Sequence, residues 1–180
     1  MICILTSCQQ AKGTIVVLVN DSNLKLENGV LFYNNSKFSG SIEWYHDNSE
    51  KLKSSANYKL GSKHGIETFW YKNDSVAAKR FYTKGLKTGT HEASWPNGNR
   101  KFVYHFNEKG EYHGNIKEWY KTGNVFRDFN YVNGKEVGSQ RLWYQNRKIK
   151  ANYVVVNGER FGLIGLKKCY RVSLNSDEIR

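Results

Sequence analysis

A glycine that returns every 24 or 25 residues constrains this chain more than any other feature. Gly40, Gly65, Gly89, Gly114, Gly138 and Gly162 are separated by steps of 25, 24, 25, 24 and 24. A second glycine precedes each of the last five by four positions, as in Gly85-Leu86-Lys87-Thr88-Gly89 and Gly134-Lys135-Glu136-Val137-Gly138, and Ser36 stands in its place in the first copy. Self-similarity at such a period marks a repeat architecture, in which one supersecondary unit buries its apolar side only by stacking on its neighbours.

The content of the unit follows from its pattern. An aromatic pair comes at a nearly fixed distance after each repeat glycine: Trp44-Tyr45, Trp70-Tyr71, Trp119-Tyr120 and Trp143-Tyr144, with Ser94-Trp95 as a weakened copy. A short polar turn follows, such as Pro96-Asn97-Gly98 or Lys121-Thr122-Gly123. Next comes a run with period-two alternation, in which Val125, Arg127, Phe129 and Tyr131 share one face and Asp128 and Asn130 the other. Phe102, Tyr104 and Phe106 repeat the arrangement, as do Ile149, Ala151 and Tyr153. The unit is therefore two short strands joined by a tight turn, and Asn-Gly at Asn97-Gly98, Asn133-Gly134 and Asn157-Gly158 supplies residues that tolerate positive φ. A Gly-x-x-x-Gly spacing also marks paired transmembrane helices, but Lys, Glu and His bracket these glycines and exclude that reading.

Gly-x-x-x-x-Trp-Tyr, a polar turn, an aromatic residue and Gly-x-x-x-Gly together resemble the MORN repeat, and more narrowly the bacterial variant of YwqK-type antitoxin proteins. The resemblance covers roughly residues 28–162. It implies an all-β fold, an elongated, twisted, mostly single-layer antiparallel sheet of stacked hairpins. At about 4.8 Å per strand, five to six such units give a slab on the order of 50–60 Å long. Residues 1–27 are then a tether with a leading strand at Ile15–Val19, and residues 163–180 a terminal cap. Large side chains stacked along one face would replace a thick core, with Trp44, Trp70, Trp95, Trp119 and Trp143 as the structural ladder and the lysines on the opposite face. The six repeat glycines read as backbone requirements.

Composition agrees with a folded, thin object. Aliphatic residues and Phe make up about a quarter of the 180 residues, above the level of disordered chains, while 5 Trp, 12 Tyr and 9 Phe supply much of the apolar content. A formal charge of +12 points to an acidic protein, an anionic lipid or lipopolysaccharide surface, or a nucleic acid. Assigning the aromatics to the ladder disfavours nucleic acid, which needs free rings for stacking.

Chemistry-bearing motifs are scarce. His46, His64, His91, His105 and His113 form no HExxH pattern, and His64 and His113 fall in one slot two repeats apart, too far to share a metal. Gly85-Leu86-Lys87-Thr88-Gly89 has hairpin spacing and no helix to cradle a phosphate. Glu43, Glu67, Glu92 and Glu118 recur near the aromatic pairs and read as cross-strand partners of Lys and Arg. Cys169, in an apolar stretch, reads as an inert thiol. The expectation is a protein with no catalytic residues, metal or cofactor. At the other end, Leu5-Thr6-Ser7-Cys8 resembles the lipobox of bacterial lipoproteins, which implies acylation of Cys8 and a place in the cell envelope. The leading expectation is a scaffold that binds another protein from that anchor. The alternatives are a soluble cytoplasmic antitoxin that neutralises a partner toxin, an anionic-lipid-binding module and an envelope enzyme with a site near Cys169.

Overall fold

A computed structural model describes residues 14–165, which form strands and turns throughout. Twelve strands make one long sheet in the order β1 (Val16–Leu18), β5 (Gly40–Tyr45), β6 (Leu52–Lys59), β7 (Ser62–Trp70), β8 (Val76–Thr83), β9 (Leu86–Ser94) and β10 (Arg100–Phe106). It continues through β11 (Gly114–Trp119), β12 (Val125–Val132), β13 (Lys135–Trp143), β14 (Ile149–Val156) and β15 (Glu159–Leu163). From β5 onward every pairing is antiparallel and joins strands consecutive in the chain. The fold is the all-β stack of hairpins that the repeat implies.

Two features of the N-terminal part are not written in the repeat. The leading strand pairs parallel to β5, with Val16 opposite Ser41 and Leu18 opposite Glu43. A parallel partner cannot be reached by a hairpin. The connection instead holds a separate small sheet of β2 (Leu24–Glu27), β3 (Val30–Tyr33) and β4 (Ser36–Lys37). That sheet is joined to the long one at Gly61, whose N–H donates to the Phe38 carbonyl at 2.7 Å and whose carbonyl accepts from the Leu31 N–H at 2.8 Å.

The hairpins turn in two different ways. At the end carrying the first glycine of each pair, the Asn107–Glu111 turn is wide, with the Asn107 N–H donating to the Glu111 carbonyl at 2.9 Å, and two-residue loops close the other four hairpins: Leu60-Gly61, Lys84-Gly85, Asn133-Gly134 and Asn157-Gly158 have both residues at positive φ, between 48° and 84°. These are the mirror-image turns whose twist matches that of paired strands. At the other end the turns are wider. The Trp95 N–H donates to the Asn99 carbonyl, and the Asn97 side-chain oxygen accepts the Asn99 N–H, a pattern repeated at Asn73 and Asn146. Successive wide turns are stapled together. Asn97 and Asn99 both donate to the Lys121 carbonyl, Asn124 donates to the Gln145 carbonyl, and Lys51 pairs with Asp74 at 2.6 Å.

With one layer there is little depth for a core. Among the described residues only Ile116 and Gln140 bury their side chains fully. Ala56, Ala78, Ala93 and Ala151 are also buried.

Candidate binding face

The repeat glycine sets the geometry of this face. Gly65, Gly89, Gly114, Gly138 and Gly162 adopt φ between 60° and 118°, a conformation that residues with a Cβ rarely take. Each repeat glycine from Gly40 to Gly114 lies opposite an aromatic residue of the following strand: Gly40 faces Tyr58, Gly65 Tyr82, Gly89 Phe106 and Gly114 Tyr131. On the strand before the glycine the ladder slips, between Lys79 and Phe81 in β8 and between Phe129 and Tyr131 in β12. The slip leaves backbone polar groups without ladder partners.

The side chain two positions after the glycine fills that gap. Gln140 does so with three hydrogen bonds: its amide nitrogen donates to the carbonyls of Asn130 (2.9 Å) and Val137 (2.8 Å), and its oxygen accepts the Asn130 N–H (3.1 Å). His91 holds the same place in its repeat, 3% exposed, with Nε2 2.8 Å from the Phe81 carbonyl. Glu67 holds it again, buried and met by Lys63, by Arg80 at 3.6 Å and by the Tyr82 hydroxyl at 3.1 Å. Ile116 is the apolar copy. A buried polar group is tolerated where it is hydrogen-bonded, and the partners are backbone groups for Gln140 and His91 and side chains for Glu67.

Around these residues runs a continuous band of rings. Tyr82, His91, Phe106, Tyr112 and Tyr131 follow one another at centroid distances of 5.6, 4.6, 4.9 and 5.3 Å. Cations lie over the band: Lys63 over Tyr82, Lys87 over Phe106, Arg127 over Phe129 and Arg160 over Tyr153, all within 5.8 Å of the ring centre. Three carboxylates recur with them. Glu67 sits between Lys63 and Arg80, Glu118 accepts from Arg127 at 2.9 Å, and Glu136 accepts from both Arg160 (3.0 Å) and the Tyr153 hydroxyl (3.0 Å). The expected segregation of lysines to the opposite face is thus corrected. With no second layer to cover the rings, long cationic side chains lie across them with their stems against the carbon faces. The opposite face carries cations too, with Asn115, Asp128 and Asn130 hydrogen-bonded together and Lys117 paired with Asp128.

The protonation states follow from this environment. Burial, then the Glu67 carboxylate, push the Tyr82 phenol up against the opposing Arg80 charge, and burial together with the Glu136 hydrogen bond pushes Tyr153 up to about 12. These tyrosines stay protonated and donate. For His91 the direction is opposite: burial, helped by the Arg80 and Lys87 charges, lowers its pKa from 6.5, partly countered by its carbonyl contacts. The neutral ring is the folded form, so its contribution to stability is complete above pH 6.5 and is lost as pH falls, when the unfolded chain takes up a proton that the folded chain resists. Denaturation midpoints should fall on acidification below that pH with a slope of at most about one proton, or ~1.4 kcal/mol per pH unit. His91→Gln, which copies the residue at Gln140, should keep the midpoint at neutral pH and flatten the acid limb. An unchanged acid limb in that variant would remove His91 as its cause.

Of the sequence-based site residues, the glycines occupy one column and the tryptophans do not. Trp70, Trp119 and Trp143 end their strands opposite Val76, Val125 and Ile149, and Tyr45 and Ser94 hold the corresponding places. Trp44 stands one residue earlier, opposite Ser54, and Trp95 one residue later, in the turn, where its indole N–H donates to the Trp119 carbonyl at 3.0 Å. Tyr71 and Tyr120 make the same bond to the Ser94 and Trp143 carbonyls. His64 and His113 share a slot, as the spacing required, each accepting the N–H of a loop residue of the next hairpin, Lys84 or Asn133, at 3.4 Å. Cys8 and Cys169 lie outside the described residues. Among the described residues no group of three His, Cys, Asp or Glu is placed to hold a metal ion. The sequence reading missed the buried column of Glu67, His91 and Gln140, which counting two positions on from each glycine would have exposed. Comparison with protein-family models and with curated proteins finds no match to this chain.

Proposed function

We propose that this protein is a non-enzymatic MORN-like repeat scaffold that binds another protein through the ring-and-cation face, held at a bacterial envelope by acylated Cys8. The observation that carries the reading is the composition of that face. Half-buried Tyr and Phe in a continuous band, with Arg80, Arg127 and Arg160 each beside a carboxylate, are the residue types that dominate protein interfaces. Rings fixed by their neighbours lose little freedom when a partner covers them. The soluble antitoxin reading uses the same face and differs in the anchor.

One experiment addresses both parts. A photo-crosslinking amino acid is placed at Tyr112 or Tyr131 on this face, or at Lys79 or Arg141 on the other, in host cells fed a palmitate analogue. The expected result is a protein adduct from the first pair and none from the second, together with label on the wild type that is lost in Cys8→Ala. Adducts only from Lys79 and Arg141, or none, would overturn the assignment of the face. An unlabelled, soluble wild type would overturn the anchor and leave the cytoplasmic antitoxin.

A further inference from the structure

The wide turns of the last three hairpins form a surface distinct from the ring-and-cation face. Residues 95–101, 120–126 and 144–150 carry Arg100, Lys101, Lys121, Arg147, Lys148 and Lys150 and no carboxylate. All six are exposed, and among the described residues none is in an ion pair. The other turns differ. The first two wide turns set Asp47, Glu50 and Asp74 against Lys51, Lys53 and Lys72; at the other end the turns after Asn107 are flanked by Glu108, Glu111, Glu136 and Glu159, and the two before it carry Lys59, Lys84 and Lys87 without a carboxylate, fewer cations than the six gathered here. The charge is held in place by the fold. Lys101 lies 4.6 Å from the Trp95 ring centre, Arg100 6.0 Å from Trp119 and Lys150 5.6 Å from Tyr144, while the Arg147 Nε donates to Asn124 at 3.1 Å.

We infer that these three turns dock an acidic segment of the partner protein, extended as a polyproline II helix with a carboxylate at every third residue. The inference rests on the protein-binding reading and names the chemistry of one contact. Two antiparallel strands separate successive turns, a step of about 9.6 Å. A polyproline II helix has three residues per turn and rises 3.1 Å per residue, so every third side chain faces one way at intervals of about 9.3 Å. One carboxylate therefore meets each turn in succession. Between the second and third of these turns lies a hollow of about 250 Å³ walled by Trp143, Val125, Asn124 and Arg147. An aromatic wall beside a polar one is how proline-rich segments are received. Nucleic acid is disfavoured because the faces of Trp95 and Trp119 that bases would stack on are covered by Lys101 and Arg100. A membrane surface is disfavoured because the turn tips, Pro96-Asn97-Gly98, Lys121-Thr122-Gly123 and Gln145-Asn146, offer no large aliphatic or aromatic side chain to insert.

The test measures binding of the full chain at low salt to a labelled (Glu-Pro-Pro) repeat peptide, to a peptide of the same composition with its glutamates clustered, to a single-stranded oligonucleotide and to phosphatidylglycerol vesicles. The protein is wild type, the triple variant Lys121→Gln, Lys148→Gln, Lys150→Gln, or the opposite-end control Lys59→Gln, Lys84→Gln, Lys109→Gln. Both triples remove exposed charges of equal number and leave the ladder bonds intact. The expected outcome is binding of the period-three peptide that is about tenfold tighter than the clustered one, weakened about tenfold in the first triple, unchanged in the control and lost at high salt. Equal affinity for the two peptides, equal loss in both triples, or tighter binding of the oligonucleotide or vesicles would overturn it. Should the first triple still form the wild-type adduct from Tyr112 in cells while the peptides fail, this inference falls and the protein-binding reading stands.

Discussion

Gln140→Leu should destabilise the protein by at least about 3 kcal/mol, although leucine matches the volume of the side chain it replaces. The loss does not come from a cavity. Leucine leaves the Asn130 N–H and the carbonyls of Asn130 and Val137 facing an apolar side chain in a site that is 0% exposed. Each unsatisfied buried group costs about 1–3 kcal/mol. Gln140→His, which places in this slot the side chain that His91 holds in its own repeat, should lose much less, because a ring nitrogen still reaches a carbonyl there. Urea midpoints of the two variants decide the matter. A leucine variant within about 0.5 kcal/mol of wild type would mean that water reaches the slip, contrary to the burial described.

A second large loss is expected at the joint between the two sheets. A Cβ on Gly61 would collide with Val30 Cγ1 and stand 2.9 Å from the Leu31 carbonyl oxygen, and the residue's φ is 82°. Left-handed backbone alone costs a residue with a side chain about 1–2 kcal/mol. The contact with Leu31 adds to this, since it is with backbone that can move only by opening the small sheet. Gly61→Ala should therefore lose on the order of 3 kcal/mol or more. Gly98→Ala is the matched control: its φ is 85° and a Cβ there meets nothing within 4 Å. It should show the conformational cost by itself. Equal losses in the two variants would mean that the small sheet is not held at Gly61.

The repeat was legible because its punctuation is chemical. A glycine where φ must be positive and an Asn-Gly where a two-residue loop must turn leave marks that a single sequence displays. Leu60 and Lys84 show the limit of this reasoning, for both adopt φ of 50° in loops of the same kind without being Asn or Gly. There the following glycine and the register of the strands impose the turn. The tryptophans show a related effect. The aromatic pair looks constant by eye, yet Trp44 and Trp95 are displaced by one residue in opposite directions, and a shift of one residue changes what a side chain meets. The parallel pairing of β1 has no local signature, because it is decided by what the rest of the sheet leaves unpaired at the edge. Alternation shows which residues share a face and not which of them cover one another, so the laying of cations over rings has no mark in the pattern. In a single layer the cations are the cover.

Among the described residues each hairpin packs chiefly on the hairpins before and after it, through the ladder, the carbonyl bonds of Tyr71, Trp95 and Tyr120, and the asparagine staples of the wide turns. Length is therefore a free variable in this architecture. Duplicating or removing one unit of about 24 residues would move the two ends of the sheet by one step and leave every remaining contact as it was. A surface built this way measures its partner as a ruler does, in whole graduations, and a change of partner length can be met by copying a segment that is already there.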